Sequence, residues 1–170
     1  MATRLFVTGF DAFGQFETNP TSLLVPALDA PHAIIPVTYA DADRFLHDFE
    51  AHHYDALLML GVSAKAETIL LETTARNRIG LTPDATGLVA GPMPINSDGP
   101  PHINATLWTE HHHRAYTTSQ DAGDYLCNYL FYRALETHPN LRIGFVHVPP
   151  FSVISENTQQ KTLRELIASL

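Results

Sequence analysis

The segment Ala56-Leu57-Leu58-Met59-Leu60-Gly61 is apolar without interruption and has the length of one β-strand. A strand with one wet face alternates apolar and polar residues, so an unbroken run calls for cover on both faces. The flanking sequence supplies candidates for that cover. Residues 4–8 read as a strand that enters a glycine-containing loop, Gly9 to Gly14, and Asn19-Pro20 then pairs a helix cap with a residue suited to the first helical position. Residues 32–38 read as a second strand, and its Pro36 marks an edge or an irregular strand. Ala42, Phe45, Leu46 and Phe49 have helical spacing over residues 41–53. Residues 68–76 form an apolar, β-branched segment of strand type, and residues 77–101 are loop-like, rich in Pro and Gly. A short helix is expected within 104–114, a strand at 115–118 and a longer helix over 121–137 with Asp121 as its cap. A last strand over 141–148 stops at Pro149-Pro150, and a closing helix runs over 155–170. Strands alternating with helices predict an α/β fold, one sheet with helices on both faces.

Composition limits what such a fold can serve. At 170 residues with 45 % apolar content, the chain is expected to be one domain with its own core. The net charge is −8 and the 10 Lys and Arg form no cluster, which predicts no nucleic-acid partner and no anionic membrane surface. No apolar run approaches the length of a membrane span, and the first residues lack the pattern of a signal peptide. The single cysteine, Cys127, excludes an internal disulfide framework and a cysteine-based zinc site, and a reduced, cytoplasmic setting is expected. His111-His112-His113 invites a metal, but consecutive helical residues diverge by about 100° and cannot share one ion. No metal and no other cofactor is therefore predicted. A homo-oligomer is left open.

Several residues carry potential chemistry. Gly9 to Gly14 has the spacing of a phosphate loop, yet Gln15-Phe16 stands where the Lys and Ser/Thr of such a loop belong. Phe10, Phe13 and Phe16 either pack this loop onto the core or wall an apolar pocket at the carboxyl end of a strand, where open α/β sheets bind ligands. Cys127 is either a small core residue or a nucleophile. Read six residues into a helix, it lies beyond most of the help a helix N-terminus gives a thiolate. His147, in a buried-looking strand, is either a satisfied core histidine or a proton carrier. Glu72, inside Ile69-Leu70-Leu71-Glu72-Thr73-Thr74, needs a partner if buried. One Glu, one Cys and one His suit thiol catalysis, if they meet.

Four segments together resemble the pyroglutamyl peptidase I (pyrrolidone-carboxylate peptidase) family. They are Val7-Thr8-Gly9-Phe10-Asp11-Ala12-Phe13-Gly14 with Asn19-Pro20-Thr21, Leu71-Glu72-Thr73-Thr74-Ala75-Arg76-Asn77, Tyr125-Leu126-Cys127-Asn128-Tyr129, and Gly144-Phe145-Val146-His147-Val148-Pro149. The resemblance implies a three-layer α/β/α sandwich of phosphorylase/hydrolase type. It also implies a metal-independent cysteine peptidase that removes an N-terminal pyroglutamyl group from peptides. Cys127 would be the nucleophile, His147 the general base and acid, and Glu72 its orienting partner, with Phe10, Phe13, Tyr125 and Leu126 walling the lactam pocket. A peptide or small amide with a blocked N-terminus would be the partner. Two departures stand out. Ala12 replaces a usual Pro, and the Arg that usually follows the Asn matching Asn77 has no counterpart, Leu81-Thr82 occupying its place. A related thiol amidase acting on another N-capped or cyclic amide, or a non-catalytic ligand-binding homologue, are the alternatives.

Overall fold

The computed structural model describes residues 3–13 and 17–170. The apolar run becomes β3 (Ala56–Val62), and its residues from Ala56 to Leu60 are wholly buried. It lies inside a six-stranded sheet between β1 (Leu5–Phe10) and β8 (Arg142–Val148), parallel to both. The edge strand β2 (His32–Ile35) pairs with β1 in parallel, and Pro36 falls just past its end. On the other side, β4 (Leu70–Glu72) runs antiparallel to β8 and is followed by β7 (Thr117–Ser119), giving the order β2-β1-β3-β8-β4-β7.

Alternate side chains of β3 and β8 enter two separate cores. Leu57, Met59, Ile143 and Phe145 pack with α2 (Tyr39–Asp48) and α4 (Leu126–Thr137). Leu58, Leu60, Val146 and Val148 pack with α1 (Pro20–Leu24) and α5 (Glu156–Ala168). This is the three-layer α/β/α arrangement. The Asn19 side chain accepts from the Thr21 N–H at 3.0 Å, capping α1 with Pro20 at its start, as expected.

Three expectations need correction. The segment 68–76 is two strands, because Thr73 crosses from one sheet to another. Its N–H donates to the Ser119 carbonyl while its own carbonyl accepts from Ala105, and β5 (Thr74–Arg76) pairs with β6 (His102–Asn104) in a separate ribbon. The second helix begins at Tyr39, capped by Thr38, and ends at Asp48; residues 51–53 form only a 3-10 turn. The helix expected from Asp121 begins five residues later, at Leu126. Gly123 adopts a left-handed φ of 88°, which a right-handed helix cannot contain. Asp121 instead accepts from the Gly123 N–H at 3.0 Å and binds Arg78 at 2.7 Å.

Candidate active site

The later start of α4 changes the reading of Cys127, which is the second residue of the helix and not about six residues into it. The first backbone N–H bonded within the helix is that of Tyr129, to the Tyr125 carbonyl at 2.9 Å. The N–H groups of Leu126, Cys127 and Asn128 therefore have no partner within the helix, as at any helix N-terminus.

Strand register sets the groups opposite it. Gly61 of β3 is the direct neighbour of His147 on β8, and His147 is in turn opposite Leu70 on β4, two residues before Glu72. Side chains two apart on a strand share a face, so Gly61, His147 and Glu72 all face α4. His147 Nδ1 donates to Glu72 Oε1 at 2.7 Å, with both side chains buried. That leaves Nε2 for the thiol. Burial alone would push the imidazole pKa down, but hydrogen bonding and charge from Cys127 and Glu72 outweigh it and raise the value to about 10. Glu72 Oε2 is buried and has no hydrogen-bond partner among the described residues. The Cys127 sulfur lies over Gly61, where a Cβ would overlap Sγ and come 2.8 Å from Phe145 Cζ.

Cys127 opens into a cavity of about 400 Å³. Phe10, Phe13, Tyr125 and Leu126, the residues that the resemblance places at a pocket, line it together with Cys127; Gly14 and Phe16 lie outside the described residues. The Phe13 and Tyr125 rings are 5.9 Å apart. Burial, with Tyr39 and Asp84 nearby, pushes the Tyr125 hydroxyl pKa up to about 12, and this neutral hydroxyl donates to the Pro83 carbonyl at 3.0 Å. No Asp, Glu, Lys or Arg lines the cavity among the described residues.

A family model described as pyroglutamyl peptidase matches residues 3–164. The chain belongs to the pyroglutamyl peptidase family. It is 31% identical over 164 residues to human pyroglutamyl-peptidase 1, a match covering 85% of this chain and 78% of that protein. It is 28% identical over 170 residues to a pyrrolidone-carboxylate peptidase of Halalkalibacterium halodurans, covering 88% and 85% of the two chains. The crystal structure of pyrrolidone carboxyl peptidase from Thermus thermophilus superposes with a TM-score of 0.84 at 28% identity, covering 94% of this chain and 96% of that one.

Within this pyroglutamyl peptidase fold, several supporting residues escape sequence reasoning. Asn128 is fully buried; its side-chain oxygen accepts from the Arg76 N–H at 2.8 Å, and its amide donates to the carbonyls of Arg76 and Arg78. It ties the residue after Cys127 to β5. The Trp108 indole donates to the Glu72 carbonyl at 2.8 Å and packs where Gly144 lacks a Cβ. Buried Asp84 accepts from Thr86, Leu88 and Tyr39, fixing the loop that presents the Pro83 carbonyl to Tyr125. Their only sequence signals were a polar residue in an apolar helix, a lone Trp and a Pro-Asp turn. Arg78 is engaged by Asp121 and the Gly123 carbonyl and does not line the cavity, and Leu81 is exposed to solvent. In α3 (Glu110–Ala115), His112 is buried with its ring nitrogens on Thr109 and Ser169, while His111 and His113 are exposed. No helix among the described residues is long and apolar enough to cross a membrane.

Proposed function

We propose that this chain is a cysteine peptidase that releases pyroglutamate from the N-terminus of peptides, with Cys127, His147 and Glu72 as its catalytic set. The reading is supported by the Glu72–His147 hydrogen bond, by the influence of Cys127 on the His147 ring, and by the opening of Cys127 into a cavity lined, among the described residues, without a charged group. A pyroglutamyl ring is a neutral lactam, whereas an ordinary peptide N-terminus brings an ammonium whose desolvation no carboxylate in this cavity would offset. Aromatic walls at Phe10, Phe13 and Tyr125 suit the flat ring.

The reaction follows from the positions. His147 Nε2 takes the Cys127 proton, and the sulfur attacks the pyroglutamyl carbonyl carbon. The oxygen turned anionic is received by the N–H groups at the start of α4 that have no partner within the helix, which act without an arginine. The C–N bond breaks as His147 returns the proton to the leaving amine. A water then loses a proton to His147 and attacks the thioester, releasing pyroglutamate and restoring the thiol. Glu72 holds the ring so that Nε2 faces sulfur and supports the imidazolium. A catalytic thiol fits a reducing compartment, the cytoplasm.

A pyroglutamyl anilide reporter tests the proposal beside prolyl anilide, which has a similar ring but carries an ammonium in place of the lactam. Turnover of the first only, abolished by Cys127→Ala, is the expected result. Turnover no faster than that of Cys127→Ala, or equal use of both anilides, refutes it.

A further inference from the structure

The cavity is larger than the group it is proposed to cleave. A pyroglutamyl group has about eight non-hydrogen atoms and, at the roughly 30 Å³ each that a water occupies in the liquid, fills about 240 Å³ of the 400 Å³. The direction of the remaining space follows from strand order. Phe10 ends β1, on one side of β3, whereas His147 is on β8, on the other side. Cys127 sits between them, over Gly61 of β3. The amine that leaves must take its proton from His147, so the ring lies toward β1 and the departing chain toward the end of β8. The wall there consists of Val62 at the end of β3, Ala64 just after it, and Pro150, Phe151 and Ser152 after β8. Phe151 is half-buried, held against the core beneath α1 and α5, so its face is preformed.

We infer that Val62, Ala64, Pro150 and Phe151 form a subsite for the side chain of the residue that follows pyroglutamate, and that this subsite selects apolar side chains over charged ones. The inference rests on the peptidase reading above. An aliphatic or aromatic side chain there loses water against carbon on several sides, whereas Asp or Lys loses hydration with no charged partner among the described lining residues. Gly at that place leaves the space unfilled. Phe151 is the specificity-determining residue because it supplies the largest apolar surface of this wall.

The test is a series of pyroglutamyl-X amides, with X as Gly, Leu, Phe, Asp or Lys, followed by release of the X-amide. The natural chain is expected to cleave the Leu and Phe members with kcat/KM about tenfold or more above the Gly, Asp and Lys members. Phe151→Ala should lower the Leu-to-Gly ratio by about tenfold, while Phe151→Leu, which keeps an apolar wall, should hold it within about threefold. The natural chain's own profile needs no variant to fold. Cleavage of all five at equal efficiency, or a Leu-to-Gly ratio unmoved by Phe151→Ala, overturns the subsite while the peptidase reading stands. Cleavage of none overturns both.

Discussion

Replacing Gly61 by Ala places a methyl group where the Cys127 sulfur rests. An ideal Cβ at that position overlaps Sγ and lies 2.8 Å from Phe145 Cζ and 3.1 Å from Cε1. Non-bonded heavy atoms settle at about 3.5–4.0 Å, so both the sulfur and the ring must retreat by about 1 Å. Phe145 is wholly buried between β3 and α4 and has little room to yield. Overpacking of this kind costs about 1–3 kcal/mol of stability. The larger consequence is chemical, because a nucleophile displaced by about 1 Å loses on the order of 100-fold in rate. The assay is kcat on the pyroglutamyl anilide, with the folded fraction measured by denaturant unfolding and the reactive thiol counted with an alkylating agent. A folded Gly61→Ala enzyme with about 1% of the natural kcat is expected. A folded variant with undiminished kcat would refute the placement of the sulfur over Gly61.

Two further outcomes follow from the same geometry. In Glu72→Gln the buried carboxylate charge beside the imidazolium is lost; at about 4 Å and an effective dielectric of about 20 the pair interacts by about 4 kcal/mol, which sets a ceiling near 1,000-fold. We expect a kcat loss of roughly 100- to 1,000-fold, smaller than that of Cys127→Ser; equal losses would contradict the separate roles of orienter and nucleophile. The His147 pKa is raised from 6.5 to about 10, so its stabilising contribution is complete below pH 6.5 and is lost as pH rises toward 10. Cys127→Ala removes the principal raising partner, so the His147 ring resonance, followed by NMR, should titrate at lower pH than in the natural chain; an unchanged titration would show that the thiol does not act on the ring.

The residue types of the site were legible in the chain, and its geometry was not. Phe10, Phe13, Tyr125 and Leu126 do meet at one cavity with Cys127, and Glu72 does meet His147. Asp121 is a good cap in isolation, yet α4 does not start there. Only the contacts with Arg78 and the left-handed Gly123 divert it to a turn. Cys127 thereby falls in the first turn of α4, which its local sequence does not show. Likewise, the split of 68–76 at Thr73 depends on partners at Ser119 and Ala105, more than thirty residues ahead in the chain.

Hydrophobic periodicity, a local property of neighbouring residues, was enough to establish a covered sheet around residues 56–61, the layers on either side and most of the elements. Strand register is not local. It alone sets Gly61 beside His147, brings Glu72 onto the same face from an antiparallel neighbour, and leaves the sulfur the space of one missing side chain. Pairing between strands that are distant in sequence is decided by how the whole core packs, so the meeting of these three groups belongs to the tertiary structure.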